Sequence, residues 1–358
     1  MRTEQGTVLV LVLLIVALVA ALSVKFAAQY QLGLARAETR WHGAQARAFL
    51  EGTEEVAKLL FHDADQDESS DFLGEPWGSE VPIDDEGVSG VARLTDATTQ
   101  LNLNDLNKQF MAEQQQGQPT RYSEPQRQFI RLLQTFPDMQ LQQDQAECLL
   151  EAVVDWMDED ENESGQCGAE SNFYQSMPEP YLPPNGLFKS VDELRLIRGF
   201  NENPLLVQRV MPFLTALPQP NIGMNINTIE LVSPTGRGIN NLLLAINAPD
   251  SLSPATEAEV QQAIKARTDI GYVEDAAVQN AFAGKDVTTL KRSTPFFWLN
   301  ATVQLVDQRR SMRSLMTRAN VDGRRTLTVI RREDVYELPS QIRREDEEDE
   351  DGETELVE

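Results

Sequence analysis

Histidine and cysteine are almost missing from this chain, with two of each among 358 residues. So few argue against a zinc site of ordinary ligand count and leave little choice of histidine base. Positive charge is also scarce: 31 Lys and Arg against 57 Asp and Glu, a net charge of −26. Such a surface repels phosphate backbones, which sets nucleic-acid binding low among the candidate functions. No P-loop, nucleophile elbow or HExxH pattern occurs, and Gly236-Arg237-Gly238-Ile239-Asn240-Asn241 is only half a nucleotide loop. What is present in quantity is apolar: 41% of residues, enough to build a real core and to exclude global disorder.

Acid is unevenly spread. The run Glu345-Asp346-Glu347-Glu348-Asp349-Glu350-Asp351, with Glu353, Glu355 and Glu358, holds ten of the 57 acids. A like-charge block of this density cannot pack on itself and reads as a solvated, disordered tail over 336–358. Without those ten the remainder still carries −16, so the folded part is acidic too.

The one strongly apolar run is Thr7 to Val24, 18 residues without a charge, after the polar leader Met1-Arg2-Thr3-Glu4-Gln5-Gly6. Three readings fit it. A cleaved signal peptide would use the small residues of Val19-Ala20-Ala21, although helix-forming sequence continues past them. A plain signal anchor needs only the length. A type IV prepilin leader would end at Gly6, at the polar-to-apolar boundary, with Thr7 as the first mature residue. No proline occurs from Thr7 to Phe61, and good helix formers dominate after Lys25. A continuous helix there would be roughly 80 Å long. Its first third is greasy all round, and its remainder can carry a stripe of Phe26, Tyr30, Leu34, Trp41 and Phe49. Half membrane span and half domain core is the pilin arrangement. Leu11 stands at the fifth mature position, where pilins place a glutamate to pair with a neighbour's amino terminus.

Beyond the helix, 62–86 reads as loop, Gly87 to Asp96 as a strand, and about 101–286 as short helices with frequent breakers. Ser123 is a candidate N-cap for Pro125 to Phe136, Gln142 to Met157 is the next helix, and Ser190 to Glu193 is a capping box before Leu194 to Ile197. Short helices follow near 203–216, 237–246, 254–267 and 273–283. Phe296 to Val306, Arg309 to Ala319 and Arg324 to Arg332 read as strands, the last two joined by the turn Asn320-Val321-Asp322-Gly323. Strands flanking a helical block of nearly 190 residues predict an α+β fold, a small antiparallel domain with an inserted α-helical domain. The corresponding division is leader 1–6, membrane part 7–24, first pilin-like part 25–99, inserted domain 100–290, closing strands 291–335 and acidic tail 336–358.

The chain also echoes itself: Leu101-Asn102-Leu103-Asn104-Asp105-Leu106 resembles Met224-Asn225-Ile226-Asn227-Thr228-Ile229. Glycine turns at Gly199 and Gly271 follow, a pattern like helix-hairpin-helix or SAM-like units. Such units often hold DNA, which gives a second functional reading, a membrane-anchored DNA-handling protein. The acids around them, Glu257, Glu259, Asp269, Glu274 and Asp275, weigh against it.

The densest chemical signal is the run from Asp155 to Gly165. Asp158, Asp160, Asn162 and Ser164 are spaced by two, so a loop can turn their oxygens toward one point. Calcium takes six to eight oxygens, and Asp155 and Glu170 are further candidates. The pattern is not an EF-hand, and a metal-free acidic loop is the plain alternative. A carboxylate pair for glycoside chemistry has no sugar cleft to support it. Cys148 and Cys167 flank the loop; in an oxidising compartment they would be expected to pair, the alternative being two unrelated buried thiols.

The leader ending in Gly6, Leu73-Gly74-Glu75-Pro76-Trp77, Leu101-Asn102-Leu103-Asn104, Asp155-Trp156-Met157-Asp158-Glu159-Asp160, Gly168-Ala169-Glu170-Ser171-Asn172-Phe173-Tyr174, Phe188 to Leu194 and Asn225-Ile226-Asn227-Thr228 together resemble the minor pseudopilin K family of type II secretion systems. Only the acidic tail falls outside the resemblance. It implies a non-enzymatic inner-membrane subunit, single-pass, with its bulk in the periplasm, processed by the prepilin peptidase between Gly6 and Thr7. It implies a pilin-like fold with an inserted α-domain. It further implies a pseudopilus tip complex with the minor pseudopilins I and J, with H below, rather than a homopolymer. It implies bound calcium, with Asp155, Asp158, Asp160 and Glu170 as the carried-over ligands, and it fits a Cys148–Cys167 disulfide.

Overall fold

Helix α1, Glu4–Ala64, runs unbroken for 61 residues, or about 90 Å. Its first part is apolar on every side and wholly exposed: every large hydrophobic from Val8 to Val19 stands open. From Ala46 onward the same helix acquires a buried face, with Ala46, Leu50, Ala57 and Phe61 recurring at helical spacing. The computed structural model describes residues 4–64, 69–85, 87–110, 121–234, 238–306, 308–321 and 324–335. The leader residues 1–3, Gly236 and Arg237 of the half nucleotide loop, turn residues 322–323 and the acidic tail 336–358 lie outside them.

After α1 come strands β1 (Val81–Asp85), β2 (Val88–Asp96) and β3 (Leu101–Asn102), then helices α2 (Glu124–Leu133), α3 (Gln143–Met157), α4 (Ser171–Gln175) and α5 (Pro204–Val210). Strands β4 (Leu214–Thr215) and β5 (Met224–Asn225) precede helices α6 (Asn241–Leu244), α7 (Glu257–Ile264) and α8 (Asp275–Ala281). Strands β6 (Leu290–Lys291), β7 (Phe296–Leu305), β8 (Gln308–Val321) and β9 (Arg324–Val335) follow. The mixed architecture, with its long first helix and antiparallel sheet, agrees with the sequence expectation.

Five strands form an antiparallel sheet in the order β1-β2-β7-β8-β9. Strands β2 and β7 are neighbours in register, Val88 opposite Leu305 and Asp96 opposite Phe297, although some 200 residues of chain separate their far ends. Alternation along the strands sends Leu94, Phe297, Leu299, Ala301, Met312 and Met316 to the face covered by α1. A buried carboxylate ties that layer together. Glu54 on α1 is buried and accepts from Arg332 Nε at 2.8 Å, Arg332 Nη2 at 2.7 Å and Ser314 Oγ at 2.7 Å. This pair locks the helix to β8 and β9.

The chain between β2 and β7 has its own large core, built around Phe129, Trp156, Phe200, Phe213 and Tyr272. A small third cluster of Ala97, Leu217, Ile222, Phe296, Trp298 and Leu315 joins that core to the other face of the sheet. Within the large core, Arg131 is fully buried, donating to Glu124 Oε1 at 2.9 Å and to the carbonyls of Ala245, Ala248 and Ser251.

The internal echo is structural. Asn104 N donates to Asn102 Oδ1 at 3.3 Å, and Asn227 N donates to Asn225 Oδ1 at 3.0 Å, the same side-chain turn twice. Each copy begins with a two-residue strand paired in parallel, β3 with β4 and β5 with β6. All four asparagines are buried, so their amides must be satisfied internally. Asn104 does so through Phe188 N and O and Leu217 O.

Several expectations need correction. The stretch 62–86 is not all loop: α1 reaches Ala64, and Val81–Asp85 is β1. A proline at position 82 and two acids hide that strand, which is tolerable because β1 is an edge. The helix after Ser123 ends at Leu133 rather than Phe136. The capping box at Ser190 is present, but it opens a 3₁₀-helix, Val191–Leu196. The block 101–286 also holds the short strands β3, β4 and β5.

Candidate metal centre

Helix α3 presents Cys148, Glu151 and Asp155 at i, i+3 and i+7, one face aimed at the following loop. Cys148 and Cys167 form a disulfide that ties the loop back to the helix. Between them Glu151 acts as an anchor. Its Oε2 accepts from Gln166 N at 3.1 Å and Cys167 N at 3.0 Å, and it pairs with Arg121. Asp155, at 0% exposure, accepts from Ser164 N at 3.1 Å. The loop can approach this closely only through glycine. A Cβ on Gly168 would lie 2.2 Å from Asp155 Oδ2, and one on Gly165 would lie 2.0 Å from Glu151 Oε1.

The loop then brings Asp158 and Glu170 to Asp155. One oxygen from each carboxylate lies within 4.8 Å of the others. Two ligands on one calcium at 2.3–2.6 Å are at most about 5.2 Å apart, so the spacing fits. Hydrogen bonding gives an independent indication. Both Glu170 oxygens and Asp158 Oδ1 are buried and have no hydrogen-bond partner among the described residues. Orphaned buried acceptors are costly unless a cation or proton meets them. Burial, reinforced by Asp155 and Asp158, pushes Glu170 up to about 8. Burial and the neighbouring Asp155 and Asp160 push Asp158 up to about 6. Asp155 is raised by burial, against hydrogen bonds from Ser164 and Ala169.

Asp160 is not brought into this group. Its Oδ1 accepts from Asn162 N at 2.8 Å and Asn162 Nδ2 at 2.7 Å, a local turn that consumes the carboxylate. Sequence reading missed Glu151, although its place between Cys148 and Asp155 on one helical face was a usable signal. It also missed Arg198, which donates to Gly168 O at 2.9 Å and stacks over Phe173. A second acid-and-sulfur group, Cys148, Glu151 and Cys167, is the disulfide with its anchor; its sulfurs are spent on each other.

Gly6 and Thr7 fall in the first turns of α1, and their side chains lie outside the described residues. Along the helix Phe26, Tyr30, Leu34 and Trp41 are exposed at 67%, 74%, 49% and 66%. With Phe49 they span an arc of roughly 140° at 3.6 residues per turn. Phe49 packs on the sheet core and lines an apolar groove of about 470 Å³ between α1 and strands β1 and β2.

Residues 99–219 match the family model for type II secretion system (T2SS) protein K. The type II secretion system protein K of Aeromonas hydrophila is 30% identical over 64% of this chain and 68% of its own length. That of Pseudomonas aeruginosa is 31% identical over 64% and 67%. The chain belongs to the type II secretion system protein K family. A further K protein, from Pectobacterium carotovorum, is 31% identical over 64% of this chain and 68% of its own. In fold, the chain resembles a crystal structure of the GspK-GspI-GspJ complex from the enterotoxigenic Escherichia coli type 2 secretion system. The TM-score is 0.67, at 21% identity, covering 84% of this chain and all of that one. The K-family match over 99–219 includes α3, the acidic loop and the disulfide.

Proposed function

We propose that this K-family chain is a non-enzymatic minor pseudopilin that sits at the tip of the periplasmic pseudopilus and initiates or limits its assembly. The observation that carries the reading is α1. One 61-residue helix is apolar and uncovered at its start and packed on a small antiparallel sheet at its end. Val8–Leu59 is long and apolar enough to cross a membrane, with none of its most apolar window buried. In this reading α1 anchors the chain once in the bacterial inner membrane and the rest stands in the periplasm. Leu11, where a pairing glutamate would stand, suits a subunit with nothing packed above it. The partners are the minor pseudopilins I and J, in keeping with the neighbour's K, I and J composition, with H below. Contact runs through the α1 stripe and the groove at Phe49. The chain between β2 and β7 acts as an inserted α-helical domain of two helix-hairpin-helix or SAM-like units, which the repeated asparagine turns support. The DNA-handling alternative gains nothing from the relatives and is not proposed.

Calcium belongs to this reading as a structural ion, held by Asp155, Asp158 and Glu170. Bound there it supplies the positive charge that the orphaned oxygens lack. Asp160 joins only by giving up its turn with Asn162.

Mass spectrometry of the chain from native membranes tests the pseudopilin assignment. Prepilin-peptidase cleavage between Gly6 and Thr7, with a methyl group on Thr7, is expected. A mature chain starting at Met1 or near Leu22 would overturn it.

A further inference from the structure

The two asparagine turns are built alike but anchored differently. In the first, Asn104 Oδ1 accepts from Phe188 N at 2.7 Å, and Asn104 Nδ2 donates to Phe188 O at 3.0 Å and to Leu217 O at 2.7 Å. Asn102 Oδ1 accepts from Leu217 N at 3.0 Å, and its Nδ2 donates to Asp105 Oδ1 and to Gln219 O, both at 2.8 Å. Each of these partners lies within 99–219, the stretch that matches the K-family model. In the second turn, Asn227 Oδ1 accepts from Tyr272 N at 2.7 Å and its Nδ2 donates to Tyr272 O at 3.3 Å, as Asn104 does with Phe188. The third bond, which the first turn makes to Leu217 O, goes instead to Ser70 Oγ at 3.1 Å. Asn225 Nδ2 donates to Asp71 O at 3.1 Å and to Asp96 Oδ2 at 2.9 Å. The second turn is thus closed from outside the helical block, by the segment that follows α1 and by the end of β2.

That segment is fixed to the sheet. Asp71, seven residues past the end of α1, is 1% exposed. Its carboxylate accepts from Thr294 N at 2.7 Å and from Arg318 Nη2, on β8, at 2.6 Å, and its own N–H donates to Arg292 O at 2.7 Å. On the other side of the turn, the hairpin at Gly271 sits directly on Asn227: a Cβ on Gly271 would lie 2.4 Å from Asn227 Cγ. Asp71, Asn225 and Asn227 are all buried, so water does not readily replace a partner that is lost.

We infer that Ser70 and Asp71 form a strap that couples the end of α1 to the second asparagine turn and its hairpin at Gly271, while the first turn closes without it. A shift of the α1 end or of β8 at Arg318 reaches Asn225 and Asn227 through the strap, and from Asn227 passes to Tyr272. The hairpin that receives it presents Ile270 and Val273, 50% and 57% exposed, to solvent. The first turn, with Phe188 and Leu217, has no such link.

The test is hydrogen exchange read by mass spectrometry on the detergent-solubilised full chain in calcium-free buffer. Asp71→Asn keeps the shape of the side chain but leaves Thr294 N–H and Arg318 to share one oxygen. Segments 225–229 and 268–273 should then exchange at least about tenfold faster than in the parent, and segments 102–106 and 186–190 should stay within about twofold. Ser70→Ala, which removes only the acceptor of Asn227, should give the same pattern at a few-fold. A substitution that merely weakens the whole fold speeds exchange in both turns alike. Equal acceleration of the two turns therefore overturns the proposal, as does an unchanged second turn in Asp71→Asn. If Asp71→Asn does not fold, Ser70→Ala decides by the same comparison.

Discussion

Glu170→Gln probes the acidic loop most sharply, because the substitution keeps shape and removes one charge. Two full charges no more than 4.8 Å apart repel by at least about 3.5 kcal/mol at an effective dielectric of about 20. The metal-free chain avoids much of this by holding a proton on Glu170, whose pKa is pushed to about 8. The sign follows from that shift. A folded-state pKa above the unfolded value means that the native state binds the extra proton between the two. Metal-free stability therefore falls as pH rises from near 4.5 through 8, by at most about 1.4 kcal/mol per pH unit for this group. The variant has no such group and should lack that slope, leaving it about 1–3 kcal/mol more stable than the parent at pH 8.5 without metal. Calcium reverses the order. At a hundred times its Kd the ion adds about 2.7 kcal/mol to the parent, or some 5–10 °C in Tm at about 2–4 °C per kcal/mol. Because binding must expel the Glu170 proton, the parent's calcium shift should grow from pH 6 to pH 8.5. In the variant it should shrink to less than half and lose its pH dependence above pH 7, Asp158 at about 6 being the ligand that still titrates below that. Calorimetry on chains stopped after Arg344 reads this without interference from the acidic tail. A full calcium shift in the variant, or a variant less stable than the parent at pH 8.5 without metal, would refute the argument.

Cys148→Ser opens a loop of 19-residue separation and should cost about 3 kcal/mol by the chain-entropy model; chemical denaturation reads it, with weaker calcium binding expected because the loop is released from α3. Glu54→Gln should destabilise the sheet–helix contact by about 2–4 kcal/mol at neutral pH, since it leaves Arg332 and Ser314 short of an acceptor. Burial pushes Glu54 up, but Arg332 and Ser314 outweigh it and hold the group low. Its contribution is thus present above the unfolded carboxylate pKa and lost as pH falls through the folded one. The parent–variant difference should vanish in acid, and a difference that persists at pH 3 would contradict the assignment.

Elements with one strong periodicity were legible in the sequence: α1, β2, the β7–β9 hairpins and α3. Strand β1 was not, because Pro82, Asp84 and Asp85 imitate a loop where an edge strand needs only half its hydrogen bonds. The two-residue strands β3 to β6 were not, because their length carries no periodicity; the asparagine echo marked two of their positions without revealing the parallel pairing. In the acidic loop, spacing by two suggested that Asp158, Asp160, Asn162 and Ser164 converge. The chain instead turns at Asp160, and Asp158 converges with Asp155, on α3, and with Glu170, three residues past the disulfide at Cys167. Glu151 showed only through its place on the α3 face, because its loop partners are backbone amides, which leave no mark in composition.

The central claim, a tip subunit that assembles with unlike partners, meets its most direct test in solution. The portion beginning after Val24 is mixed with the corresponding portions of the I and J pseudopilins, and the mass of the product is measured by light scattering after size exclusion. A stable 1:1:1 complex is predicted, weakened at least tenfold when Phe49, in the α1 groove, is replaced by Asp, with this chain's portion alone remaining monomeric. A portion of this chain that polymerises by itself, or that stays separate from I and J, would contradict the account.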